Sequence, residues 1–230
     1  MRTRRGFLAT AGALTAGALA GCASTGGGGG SSTSNLTHVD VKKPVDVSTV
    51  SSMPTPVRGD PQSSVTVAVF EDYACPHCAH YATEIEPKVI ENYTKPGKVR
   101  YEHHDFPIPV SKTWSWAAAN AARAVQDAEG DDAFFSYTHT LFENQTSYVG
   151  RGSTGYDYLA TVAQRLGADP TTVAKAAMGG KYDPVLKTDR QKGVTMGVKG
   201  TPTVFVNGSA TKSYAYDTIS AAIDAARSSS

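Results

Sequence analysis

Cys75-Pro76-His77-Cys78 stands between a β-branched run and a helical one. Two thiols two residues apart can close into a small disulfide ring and reopen, or supply half of a zinc site. The flanks narrow the fold. Val65-Thr66-Val67-Ala68-Val69-Phe70 reads as a buried strand. Downstream, Ala82, Ile85, Val89 and Ile90 fall on roughly one helical face. Pro76 suits the first helical position, where a missing N–H costs nothing. Cys75 therefore stands at a strand-to-helix junction, its sulfur at the helix N-terminus.

That position sets the chemistry. A helix N-terminus offers unpaired N–H groups and partial positive charge, which favour an anion. A thiolate gains from both, so the Cys75 pKa is expected to fall. His77 adds a donor, or a cation when protonated. Cys78 lies about one turn further in. The expectation is an exposed, attacking Cys75 and a less exposed, resolving Cys78. Stabilising the thiolate stabilises the reduced form and makes the disulfide a stronger oxidant.

The segment Phe70-Glu71-Asp72-Tyr73-Ala74-Cys75-Pro76-His77-Cys78 resembles the active-site segment of the DsbA-like thiol–disulfide oxidoreductases. Gly59-Asp60-Pro61, Lys98-Val99-Arg100-Tyr101 leading into Asp105-Phe106-Pro107, and Gly200 to Gly208 resemble the same family in the same order. The resemblance covers roughly residues 53–228 and implies an α/β, thioredoxin-like fold with an inserted all-helical domain. It implies catalytic Cys75 and Cys78 with Pro76 and His77 between them. It also implies a cis peptide at Thr201-Pro202, whose loop offers Thr201 backbone groups to a substrate strand. No cofactor is implied beyond the redox-active disulfide. The implied partners are exported proteins with free thiols and a membrane quinone-linked reoxidase. One departure stands out. Several thioredoxin-fold proteins carry a buried acid six residues before the first cysteine, and here that position is Val69. Glu71 and Asp72 each read as surface acids; the Cys78 proton is left to one of them or to water, with the role assigned to neither.

The rest of the chain frames this domain. Arg4-Arg5 and an apolar run to Gly21 read as a twin-arginine export signal. The run is too short to span a membrane. Leu19-Ala20-Gly21-Cys22 resembles a lipoprotein signal-peptidase box, which makes Cys22 the lipidated N-terminus of the mature chain. Residues 1–22 are thus a signal and 23–46 a Gly/Ser/Thr-rich tether. The folded domain, 47–230, is held by lipid on the extracytoplasmic face of the cell membrane. With three cysteines, two of them in the motif, a disulfide-stapled fold is excluded. A net charge of +1 gives no sign of a nucleic-acid partner. Nothing resembles a dimerisation segment, so the chain reads as a monomer.

Within the domain, an edge strand is expected near 48–52, the strand 65–71, then a helix 76–93 kinked at Pro87. A strand at 98–104 completes a βαβ unit with parallel strands. Helices follow at 111–129, 131–144, 155–166, 170–178 and 183–196. They form an insertion of about 110–197 that caps one side of the site, with Trp114 and Trp116 as packing residues. Strands 203–207 and 211–216, joined at Asn207-Gly208-Ser209, and a helix 217–227 close the fold.

A metal reading draws on Cys75, His77, Cys78, His80 and the pair His103-His104. No second cysteine pair exists to complete a zinc site, and strand alternation sends His103 and His104 to opposite faces. His80 reads as a helix-surface residue. The reading is therefore no metal, and a thiol–disulfide oxidoreductase that introduces disulfides into exported proteins. The alternatives are a reductase or isomerase on the same fold, or a non-catalytic metal-delivery or binding lipoprotein.

Overall fold

The computed structural model describes residues 45–229. The signal, most of the tether, and Cys22 lie outside the described residues. Five strands form one sheet in the order β1-β3-β2-β4-β5: β1 Val57–Gly59, β2 Thr66–Glu71, β3 Arg100–Asp105, β4 Thr203–Val206 and β5 Ser209–Ala210. β2 runs parallel to β3, as the βαβ reading requires, and antiparallel to β4. β2 is central because it is apolar on both faces. Val67 and Val69 join the large core on one face; Ala68 and Phe70 join Phe106, Val198 and Phe205 on the other.

The first strand lies later than expected. Residues 48–52 form no regular element, and β1 pairs antiparallel with β3 through Val57↔Glu102 and Gly59↔Arg100. The expected second strand at 211–216 is also absent. β5 stops at Ala210, and Thr211 turns back to bond the Val204 carbonyl through N and Oγ1. The hairpin turn itself is as read. Asn207 (φ 45°) and Gly208 (φ 78°) both adopt positive φ, the requirement of the tight turn that matches strand twist.

The helix after the motif is broken differently from a simple kink. α1 Pro76–His80 and α2 Glu86–Val89 are separated by a π-helical segment, Tyr81–Ile85, and a second one follows at Ile90–Thr94. Pro87 has no N–H for the carbonyl four residues back. The wider turn before it lets the Glu86 N–H reach the Tyr81 carbonyl instead.

The helices of the middle segment are α3 Trp114–Glu129, α4 Asp131–Glu143, α5 Ser153–Arg165, α6 Pro170–Gly179 and α7 Asp183–Met196. Trp114 is buried against Tyr148 and Tyr156, and Trp116 packs on the same core. α7 returns to the sheet's second face. A Cβ at Gly193 would sit 2.6 Å from the Phe106 ring and 2.9 Å from Phe70, so only glycine lets helix and sheet approach this closely. α8 Tyr216–Ser228 buries Ile219 and Ile223 beneath the opposite face. Among the described residues, no helix is long and apolar enough to cross a membrane.

Candidate active site

The site forms where β2 ends and α1 begins. Cys75 is the N-cap of α1 in extended conformation, with Pro76 in the first turn. Its carbonyl accepts from the N–H groups of Cys78 (3.1 Å) and Ala79 (3.2 Å). The preceding turn is held by Asp72, whose Oδ1 accepts from the Ala74 N–H (2.6 Å) and Oδ2 from the Ile108 N–H (2.6 Å). The middle segment closes the other side. From the 3-10 turn Gln145–Ser147, the Gln145 amide donates to the carbonyls of Tyr73 and Cys75, both at 2.9 Å. The Tyr148 hydroxyl donates to the Tyr73 carbonyl. The inserted helices thus fix the cysteine turn directly. A groove of about 420 Å³ opens beside it, lined by Pro76, Gln145, Val149 and Arg151.

Facing Cys75 is the loop before β4. Thr201-Pro202 is cis, and the Cys75 thiol points at the Thr201 carbonyl at 3.4 Å. The Thr201 hydroxyl is buried with no hydrogen-bond partner among the described residues.

Both cysteines are free thiols, and neither is well exposed. Cys75 retains 3% of its surface and Cys78 none. The expectation of an exposed Cys75 is therefore corrected: the residue is buried, its sulfur against the Thr201 carbonyl. What separates the two thiols is electrostatics. The Cys75 pKa is lowered to about 5, first by a hydrogen bond from the Cys78 thiol. Burial opposes this, and the Thr201 hydroxyl and the backbone N–H groups of Cys78 and His77 add to it. Burial pushes Cys78 well up, and the nearby charges of Glu71 and Cys75 push it further. The Asp72 N–H, 3.4 Å from the Cys78 sulfur, only partly offsets them.

His77 contributes to Cys75 through its backbone N–H. Its imidazole is exposed, with Nδ1 3.3 Å from the Tyr214 hydroxyl. His80 is a surface residue edge-on to the same tyrosine.

The two acids read as surface residues are buried, each 1% exposed. β2 is a central strand flush against β3 and β4, so its end is enclosed. Burial raises Asp72 to about 6, opposed by the N–H groups of Ile108 and Ala74. Burial raises Glu71 to about 7, opposed by His103. A signal for Glu71 was present: Val69 and Glu71 are two apart on a strand and share a face. Glu71 stands on the Val69 face, two residues nearer Cys75.

His103 and His104 do face opposite sides. His103 meets Glu71 on one face; on the other, His104 Nδ1 lies 3.1 Å from Asp189. Asp105, quoted above only as part of the resemblance, and Arg123, not considered above, are buried behind His103. No group of three or more His, Cys, Asp or Glu among the described residues is arranged to hold a metal ion.

Residues 51–225 match the family model described as Thioredoxin. Disulfide bond formation protein D of Bacillus subtilis (strain 168) is 28% identical over 174 residues, covering 74% of this chain and 75% of that protein. The protein named "Putative protein-disulfide oxidoreductase" in Rickettsia bellii (strain RML369-C) is 28% identical over 172 residues. The chain covers 63% of it, and so spans rather less than two thirds of such relatives. Among solved structures, oxidised BdbD from Bacillus subtilis superposes with a TM-score of 0.69 at 26% identity, covering 79% of this chain and 100% of that one. DsbA of Chlamydia trachomatis gives 0.65 at 19% identity, covering 80% and 97%, a likeness of fold.

Proposed function

The chain belongs to the thioredoxin family, and we propose that it is a DsbA-like thiol–disulfide oxidoreductase that introduces disulfides into exported proteins. The observation that carries this reading is the inequality of its thiols. Cys75 is the N-cap of α1 against the Thr201 carbonyl, where its pKa is lowered to about 5, and Cys78 is fully buried, which pushes its own well up.

The reaction uses that inequality twice. A substrate thiolate attacks Cys75 Sγ of the Cys75–Cys78 disulfide. The S–S bond breaks, Cys78 departs with the electron pair, and its high pKa makes it take up a proton. Glu71, the buried acid whose charge acts on Cys78, supplies it. A second substrate thiolate then attacks the substrate sulfur of the mixed disulfide. Cys75 leaves as a stable thiolate, and two electrons have passed to the protein. The Thr201-Pro202 loop, set against Cys75, offers a backbone edge for the substrate strand. The dithiol is the whole redox centre in this reading.

The direction follows from the thiolate. Relative to an ordinary value of 9.0, a Cys75 pKa of about 5 stabilises the reduced form at pH 7 by about 2.7 kcal/mol. That is roughly 60 mV towards a more oxidising disulfide. The reduced protein then passes its electrons to a membrane quinone-linked reoxidase. Arg4-Arg5 and the Leu19-to-Cys22 box support export and lipid anchoring on the extracytoplasmic face.

A redox titration of the purified chain against glutathione tests the reading. A potential on the oxidising side of the glutathione couple is expected. A value near the reductant thioredoxin, about −270 mV, would overturn the direction and favour a reductase.

A further inference from the structure

The mechanism leaves a buried histidine unused. His103 is 1% exposed, at the centre of β3, in register with Val69. Its Nδ1 lies 3.3 Å from Glu71 Oε2 and its Nε2 3.5 Å from Asp105 Oδ1. Arg123, also buried, donates from Nε to Asp105 Oδ2 (2.7 Å) and from Nη2 to Asp189 Oδ2 (2.5 Å). The ring is fixed edge-on against Phe134 and beside Tyr73. An imidazole buried among apolar rings is ordinarily neutral, because burial disfavours its charge. Here two carboxylates bracket it, and Arg123 fixes the outer one as an anion. Glu71 Oε1 has no hydrogen-bond partner among the described residues, and the His103 Nε2 to Asp105 Oδ1 pairing is an ion pair without a hydrogen bond. Glu71 is thus held by one oxygen and open at the other.

We propose that His103 is a positioning residue for the Cys78 proton. As an imidazolium anchored by Asp105, it holds Glu71 by Oε2 and leaves Oε1 to exchange a proton with Cys78. The inference rests on the oxidoreductase reading and on Glu71 serving Cys78.

The charges agree with the geometry. Burial would push His103 down, but Asp105 and Glu71 outweigh it and raise it to about 9. The groups acting on Glu71 are His103 from β3, Arg58 from β1 and Glu86 from α2. The two cations lower its pKa and Glu86 raises it, against a burial that alone would carry it higher; the result is about 7. His103 therefore keeps Glu71 in the range where it can both give and take a proton at neutral pH. In the direction in which Cys78 attacks, Glu71 must be ionised to accept the thiol proton. In the direction in which Cys78 departs, Glu71 must be protonated to supply it.

The test loads Cys75 of the full-length chain with glutathione and follows release by Cys78 in single turnovers across pH. In the wild type, release rises with a step near pH 7. His103→Gln keeps a neutral hydrogen-bonding side chain but removes the charge. The step is then expected to move up by about one unit or more, slowing release at pH 7 roughly fivefold. The opposite direction, formation of the mixed disulfide from glutathione, should not slow. Glu71→Gln is expected to abolish the step. If Glu71→Gln leaves the step in place, the Glu71 reading falls and His103 with it. If Glu71→Gln removes the step but His103→Gln does not shift it, the His103 inference alone is overturned. Equal slowing in both directions would reduce His103 to a structural residue and overturn it too. Histidine-labelled NMR of the wild type needs no variant. An imidazolium persisting past pH 8 is expected for His103, and a neutral ring at pH 7 overturns the proposal.

Discussion

Thr201→Val isolates one contribution to the Cys75 thiolate. The substitution keeps the branched shape and the backbone, including the carbonyl 3.4 Å from Cys75 Sγ. It removes a buried hydroxyl that has no hydrogen-bond partner among the described residues while Cys75 is a thiol and that lowers the Cys75 pKa by favouring its thiolate. A hydrogen bond to a charged group contributes about 1.5–3 kcal/mol, or roughly one to two pKa units. The Cys78 thiol and the backbone N–H groups of His77 and Cys78 remain. The Cys75 pKa should therefore rise from about 5 to roughly 6–7. At pH 7 the reduced form then loses about 1.3–2.3 kcal/mol relative to the oxidised one. The disulfide becomes less oxidising by roughly 30–50 mV. Thiolate absorbance against pH, in parallel with a glutathione titration, measures both quantities on one sample. An unchanged pKa and potential in a folded variant would refute the assignment of Thr201 as a thiolate donor.

Cys78→Ala should trap mixed disulfides between Cys75 and substrates, visible on a non-reducing gel and lost with reductant, whereas Cys75→Ala should trap none; the reverse pattern identifies Cys78 as the attacking sulfur. In the reduced protein, the depressed Cys75 pKa contributes stability that is present above the unfolded value near 9 and lost as pH falls through about 5. The stability of reduced relative to oxidised protein should thus grow by about 2 kcal/mol from pH 5 to pH 7, and paired denaturant melts that show no such growth contradict the low pKa. His77→Ser keeps the backbone N–H at Cys75 and loses only an imidazole placed against Tyr214, so its shift in potential should be smaller than that of Thr201→Val; a larger one returns the tuning role to the ring. Cys22→Ser should yield soluble or unprocessed chain, and Arg4→Lys with Arg5→Lys should retain it inside the cell; a processed, membrane-bound Cys22→Ser chain rules out the lipid anchor.

Local spacing is what could be read along the chain. Cys75 and Cys78 lie within one turn of chain, so their separation, the Pro76 start and the strand before them already placed a dithiol at a helix N-terminus. The βαβ unit and the Asn207-Gly208 turn are short-range as well, and both are present in the structure. Weak edge strands were not legible. Nothing in 48–52 or 211–216 distinguishes strand from coil until a partner is at hand, and β3 takes Val57–Gly59 instead. The burial of Glu71 and Asp72 was decided by tertiary structure alone, because a carboxylate at a strand end is solvated or enclosed according to what packs over it. Here β3, β4 and the inserted segment enclose that end, Ile108 reaching Asp72 from 36 residues away and Gln145 reaching Cys75 from 70. His103, Asp105 and Arg123 lie 28, 30 and 48 positions beyond Cys75 in the chain, yet they assemble behind Glu71. Charges so far apart in sequence can set one another's protonation only once the fold has removed the water between them.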